Sequence, residues 1–289
     1  MIVEKNVDIS VYTTLGIGGT AKNFYRPQHL EQLKDLTKSL EKFRILGGGS
    51  NLLVDDQSEF DHVIYMGDYH QDLLTINESR VITASSAICI KNLLNFANQH
   101  ALGGAEYLHA LPAMVGGVVA MNAGRGEGYN KSISDYILSV DVIYKGKIQT
   151  LSKHACAFSF RKSNLVENNM IIHAVKFKFE EVSIEEGRRR LNERIKYARK
   201  EQALAHQSAG SVFKRANFKL LKIIRYLPKN KKGLYYSEKT LNWISNGGDG
   251  TYKQAIRLIK KAIIIHRIFG KKIELEWVVW NNDGLESMK

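Results

Sequence analysis

The run RILGGGSNLLV, residues 44–54, places three consecutive glycines between two apolar segments. Ile45 and Leu46 read as the end of a buried strand, Gly47, Gly48 and Gly49 as a loop free to take positive φ, and Leu52 with its neighbours as a return into the core. Such a loop turns backbone N–H groups into one concavity, and glycine lets an anion approach the backbone closely. Ser50 and Asn51 add side-chain donors, so a phosphate or pyrophosphate is the natural guest. The glycines are consecutive and no long helical pattern opens at the third, so this is not a Rossmann fingerprint. Taken alone the stretch fits a tight hairpin equally well.

Working outward, residues 13–21, TTLGIGGTA, read as a short apolar strand whose glycines suit a close backbone approach. Pro27 introduces a helix with Leu30, Leu33, Leu36, Leu40 and Phe43 at helical spacing. Strands are expected at 63–66, 81–84 and 170–179, a helix at 90–100, and a hairpin over 137–151 turning at Lys145 and Gly146. A second glycine cluster, LPAMVGGVVAMNAGRGEG at 111–128, contains Pro112, Gly116, Gly117, Asn122, Gly124 and Gly126, and reads as another loop rich in free N–H groups. Two such loops in one half point to a single long phosphorylated cofactor. Arg161, in FSFRKSNL at 158–165, stands in an apolar run where a guanidinium needs a partner, either a structural acid or a ligand.

In the second half a basic helix is expected from Gly187 to about Leu204, with Leu191, Ile195 and Ala198 inward. HQSAGSVFKR at 206–215 is a third small-residue loop that can project a serine hydroxyl into a cleft. No GxSxG elbow accompanies it, which argues against a serine hydrolase. Thr251 and Gln254 fit a capping box for a helix ending before Gly270. It leads into IELEWVVW at 273–280, a strand with Glu274 and Glu276 on one face.

The 289 residues suffice for two or three structural units, and 44% hydrophobic with 25% charged residues is the balance of a soluble globular protein. No stretch approaches the ~18 apolar residues of a membrane span or resembles a signal peptide, so a cytoplasmic protein with no membrane partner is expected. Cys89 and Cys156 lack metal-ligand spacing and read as core residues, and no metal is expected. Residues 1–187 carry 18 Lys and Arg against 21 Asp and Glu, whereas residues 188–289 carry 24 against 8. The basic half suits an anionic partner, either nucleic acid or small diphosphates. Its cations are not interleaved with stacking aromatics, so nucleic acid is not expected.

TTLGIGGTA, ILGGGSNLLV, GGVVAMNAG, FRKSNL, SAGSVFK and FGKKIELE occur in the order and spacing of the UDP-N-acetylenolpyruvoylglucosamine reductase (MurB) family, which the chain resembles from about Tyr12 to Glu276. The resemblance implies an α+β fold: a PCMH-type FAD-binding domain over 1–182, made of two α/β subdomains at about 1–66 and 67–182, and a C-terminal α/β substrate domain over 183–289. It implies FAD held by Gly47, Gly48, Gly49, Ser50, Asn51, Leu52, Pro112, Gly116, Gly117, Asn122 and Gly124. NADPH would be the co-substrate and a UDP-sugar, UDP-N-acetylglucosamine enolpyruvate, the substrate, reduced by a monomer in peptidoglycan precursor synthesis. Arg161 is similar to the family arginine that stabilises developing negative charge, Ser211 to its proton donor, and Glu276 to the glutamate that polarises and orients.

The chain departs from the family pattern on the substrate side. Arg215 and Ala216 replace Asn-Pro, Phe160 replaces a tyrosine, Thr240 replaces a histidine, and Ala113 and Met114 replace Gly-Thr after Pro112. A Gly-Leu-Lys-Gly segment is missing between Phe218 and Gly233, where lysines stand instead. The alternative is therefore a related FAD-dependent reductase for another anionic substrate, or a flavin-binding protein that has lost its activity.

Overall fold

The computed structural model describes residues 1–70, 72–125, 131–203, 206–225 and 231–282. Gly126 of the second glycine cluster and Leu204 lie outside them. The chain divides into two compact units. One comprises Met1–Glu4, Asn23–Gly48 and His62–Lys196, and the other Lys5–Lys22, Gly49–Asp61 and Tyr197–Lys289. The division falls between the second and third glycines of the 44–54 run.

The helices, in chain order, are α1 (Leu30–Ser39), α2 (Ile90–Gln99), α3 (Val115–Ala120), α4 (Asn164–Glu167), α5 (Ile184–Glu201), α6 (Phe218–Arg225) and α7 (Tyr252–Ile268). The first unit is built on a five-stranded antiparallel sheet in the order Lys147–Ser152, Ile137–Tyr144, Ile171–Phe177, Ile82–Ser85, Leu74–Ile76. The hairpin over 137–152 turns at Lys145 (φ 49°) and Gly146 (φ 75°), the pair of positive φ values that matches strand twist. Apolar residues of this sheet, including Val140, Val142, Val175 and Phe177, pack with Leu93, Leu94 and Val119 into one core. A second cluster gathers Leu33 and Leu36 of α1 with Ile64, Met66 and Tyr69. The helix after Pro27 stops at Ser39, so Leu40 becomes its C-cap and Phe43 lies beyond it.

The other unit has its own core, in which Leu15, Ile17 and Leu53 meet Val212, Phe213, Ile259 and Trp277. Its strands form short pairs: Phe213–Arg215 with Glu274–Leu275, Leu234–Tyr236 with Ile244–Asn246, and Val278–Trp280 parallel to Leu52–Val54. Chain ends distant in sequence are thus tied to the segment that follows the three glycines. Thr251 caps α7 by accepting from the Gln254 N–H at 3.3 Å, but the Gln254 side chain accepts from the Leu234 N–H at 3.1 Å instead of closing the expected box. Gly270 follows with φ 61° and ends the helix.

Three local expectations change. Residues 13–19 are turn and coil, and the strand starts only at Thr20. A Cβ on Gly18 would lie 2.3 Å from the Ser10 nitrogen and one on Gly19 2.1 Å from the Ser58 oxygen, so the glycines serve close packing of irregular chain. Gly116 and Gly117 sit in α3, a helix where a loop was read. The strand expected at 273–280 breaks at Glu276 and Trp277, because Trp277 turns inward, 3% exposed, and donates its indole N–H to the Ala209 carbonyl at 3.0 Å.

Candidate cofactor and active site

In the first unit the strand Arg44–Leu46 delivers Gly47 and Gly48 against the second glycine cluster. A Cβ on Gly48 would lie 3.2 Å from the Pro112 carbonyl oxygen and 3.6 Å from Cα of Ala113. Two segments 64 residues apart therefore meet at a point where a side chain would crowd the Pro112 carbonyl. The 112–116 segment is itself anchored: Ile90 N–H donates to Ala113 O at 2.9 Å, Val115 N–H to Ile88 O at 2.8 Å, and Gly116 N–H to Ser86 O at 2.8 Å. A Cβ on Gly117 would meet nothing within 4 Å, so one side of α3 is open there. The buried Ser86 hydroxyl, beside Gly116, has no hydrogen-bond partner among the described residues. An orphaned hydroxyl next to a glycine cradle fits a ligand that brings its own acceptors. These residues fit the phosphate-bearing cofactor expected from the sequence.

Asn122 organises the far end of this cluster. It is 5% exposed with φ 42°, its Oδ1 accepts from the Ser134 N–H at 3.3 Å, and its Nδ2 donates to the Ser159 carbonyl at 2.9 Å. Ser159 and Lys162 exchange both backbone bonds, leaving Phe160 and Arg161 as the two residues of a tight turn. Arg161 has φ 57°, a conformation that costs an L-residue with a side chain of this size about 1–2 kcal/mol. Its guanidinium donates to Gly124 O at 2.8 Å and Asn122 O at 3.5 Å and lies 5.4 Å from the Phe160 ring centroid. Phe160 supplies an aromatic face for the cation.

In the second unit Gly49 has φ 59°, and a Cβ there would lie 2.0 Å from the Tyr12 oxygen. The Thr14 N–H donates to Gly49 O at 3.2 Å. Asn51 then reaches across the chain: its Nδ2 donates to Glu276 O at 3.1 Å, and its own carbonyl accepts from the Val278 N–H at 2.9 Å. Glu276 N–H donates to Val212 O at 2.8 Å, next to Ser211. The structure thus gathers Asn51, Ser211 and Glu276, the last two 65 positions apart, around one backbone frame.

Asn242 completes that frame and was missed in the sequence, where nothing in LNWISN marks it. Its carbonyl accepts from Val212 N–H at 2.8 Å, its Oδ1 from Phe213 N–H at 3.1 Å, and its Nδ2 donates to Phe213 O at 2.7 Å. Ser211 bridges to Trp243 beside it. Glu274, by contrast, is committed elsewhere. It pairs with Arg215 at 2.8 Å and Lys214 at 3.4 Å, and the Arg215 hydrogen bond holds its carboxyl below the ordinary range.

The cysteines are free, and burial raises the Cys156 thiol to about 11. Among the described residues no three His, Cys, Asp or Glu side chains come together as a metal site.

Residues 21–152 match the FAD binding domain family. The chain is 31% identical over 285 residues to UDP-N-acetylenolpyruvoylglucosamine reductase of Thermotoga petrophila, covering 95% of this chain and 97% of that one. It is 31% identical over 294 residues to the enzyme of the same name from Moorella thermoacetica, with 98% and 94% covered. The crystal structure of UDP-N-acetylenolpyruvylglucosamine reductase (MurB) from Thermus caldophilus superposes with a TM-score of 0.80 at 28% identity, over 97% of this chain and 100% of that chain. With identity at this level running nearly end to end in both partners, and an FAD-binding PCMH-type domain carrying the glycine cradle, the chain belongs to the MurB family of flavin-dependent reductases.

Proposed function

We propose that this chain reduces UDP-N-acetylglucosamine enolpyruvate to UDP-N-acetylmuramate with NADPH, in the cytoplasm and as a monomer, for peptidoglycan precursor synthesis. The observation that supports the reading is the backbone frame of Asn51, Val212 and Glu276, which fixes the main chain of Glu276 and of the segment carrying Ser211 beside the end of the glycine run. On this reading residues 1–182 serve the flavin and residues 183–289 the substrate.

FAD, once reduced by NADPH, would supply the hydride that ends on the terminal vinyl carbon of the substrate. The chain's own residues handle the charge and the proton that this leaves behind. Arg161 stabilises the enolate-like carboxylate, since a charge fixed in position before reaction stabilises negative charge that develops later without reorganising. Ser211 donates a proton to the neighbouring carbon, and Glu276 polarises and orients. Gly47, Gly48, Gly49, Ser50, Asn51 and Leu52, with Pro112, Gly116, Gly117, Asn122 and Gly124, hold the flavin.

The test is the visible spectrum of the purified protein, followed by rapid mixing of NADPH-reduced protein with the enolpyruvate. A flavin spectrum that bleaches with NADPH and returns with the UDP-sugar is expected. Reduced protein that ignores the UDP-sugar but is reoxidised by another anionic enol would support the second reading, a related reductase. The Arg215–Glu274 pair, which stands where the family carries Asn-Pro, favours that alternative.

A further inference from the structure

We propose that the C-terminal end of α7, with the start of α6, is a contact surface for a lipid bilayer bearing anionic headgroups. Of the seven exposed positions on α7, five are cations (Lys253, Arg257, Lys260, Lys261 and Arg267) and the other two are Ile264 and Ile268. No acid stands on that face. Ile264 is 55% exposed, Ile268 72%, and the next residue, Phe269, 59%. α6 and α7 pack on each other, and the Asn217 N–H donates to Nε2 of the buried His266 at 3.0 Å. That bond fixes Phe218, 61% exposed, beside the last turn of α7. Lys271 and Lys272 follow, both exposed.

An ordinary surface helix shows polar residues to water and spends its large apolar side chains on the core. α7 does spend Ala255, Ile259 and Ala262 there, yet leaves two isoleucines out among cations. Large apolar groups rimmed by Lys and Arg are what an interfacial helix presents: the apolar tips enter the acyl boundary while the cations remain with the headgroups. A two-fold pairing with a second copy would set this cationic face against itself, which is repulsive. Nucleic acid would meet the cations and could stack on Phe218 or Phe269, but it offers no apolar phase to Ile264 and Ile268. None of the described helices is long and apolar enough to cross a membrane, and a surface contact needs none.

The test is sedimentation of the flavin-loaded protein with vesicles of phosphatidylcholine alone and of phosphatidylcholine and phosphatidylglycerol in equal parts. Binding is expected to the mixed vesicles only, weakening as salt is raised. Ile264→Glu with Ile268→Glu should lower the partition coefficient at least ~10-fold, and Lys260→Ala with Lys261→Ala about 5-fold per charge, with flavin content unchanged. Lys196→Ala with Lys200→Ala on α5 should leave binding as it was. No association with mixed vesicles overturns the proposal, and so does association that the α7 variants do not weaken or that the α5 pair weakens equally. Retention on polyglutamate without vesicle binding reassigns the face to an acidic protein and likewise overturns it.

Discussion

Asn122 and Arg161 hold each other in place. The arginine donates to the Asn122 carbonyl at 3.5 Å, while the Asn122 amide donates to the carbonyl of Ser159, two residues before the arginine, at 2.9 Å. Both residues have positive φ, which asparagine tolerates better than most and arginine poorly. Replacing Asn122 by Ala should cost roughly 2–4 kcal/mol, from an unpaired Ser159 carbonyl, the lost acceptor for Ser134 and a methyl side chain at positive φ. Urea unfolding measures this. In stopped flow, reoxidation by substrate should slow more than reduction by NADPH, and equal slowing would deny Arg161 its proposed role.

The glycines separate packing from ligand approach. Gly48→Val should abolish flavin binding, because the branched side chain meets the Pro112 carbonyl. Gly117→Ala meets nothing in the protein and lies inside α3, so the apoprotein should be as stable or gain up to ~1 kcal/mol. If flavin lies against α3, the same variant loses FAD affinity in a direct titration. Unchanged FAD affinity would remove Gly117 from the site.

Ser211→Ala should leave reduction by NADPH nearly intact and slow reoxidation by the enolpyruvate at least ~10²-fold, the usual scale for a lost proton donor. Equal loss in both half-reactions would mean that the change disturbs the Asn242 frame instead.

Because Arg215 is already paired with Glu274, it offers a diphosphate less charge than its sequence position implies. The KM for substrate should rise steeply with salt while kcat stays flat, since a distant diphosphate is bound equally in ground and transition states. Arg215→Asn should change KM less than ~2-fold, because an ion pair this exposed is worth only about 0–1 kcal/mol. A large change would place Arg215 on the substrate.

His173 gives stability an acid limb. Burial, with His70 nearby, lowers its pKa, burial raises that of Tyr69, and the Tyr69 hydroxyl and His173 Nδ1 share a hydrogen bond. A histidine whose folded pKa lies below its unfolded value of about 6.5 contributes its full stability above that pH. Stability should then fall as pH drops below ~6.5 and on through the folded pKa. His173→Gln should flatten that limb in urea titrations between pH 7 and pH 5, and an unchanged slope would assign the acid sensitivity to other groups.

Much of the site was legible because its chemistry is local. Three adjacent glycines, a serine between small residues and an arginine in an aromatic run each impose a backbone or solvation demand that a short window displays. The pattern of α1, the 137–152 hairpin and α7 likewise follow from period and turn chemistry over neighbouring residues. Long-range pairing is different. Residues 13–19 are apolar enough for a strand, but Gly18 and Gly19 pack against the backbone of Ser10 and Ser58 with no room for a side chain, and the strand begins only at Thr20. Gly116 and Gly117 are poor helix formers, and α3 forms around them because its Val115, Val118 and Val119 are buried.

Local sequence, then, was enough for the glycine run at 47–49, the reversal at Lys145 and Gly146, and the family motifs that the chain carries. Only the tertiary structure decided that Glu274 is consumed by Arg215 while Glu276 sits at a strand break framed by Asn51 and Val212. The two glutamates are alike in type, and what separates them is Trp277 entering the core, so that the strand ends at Leu275, with Glu274 inside it and Glu276 in the break before Val278. The acceptor for that one indole, the Ala209 carbonyl, lies 68 positions earlier, and with it Leu15, Leu53 and Val212 of the same core, which no local pattern records.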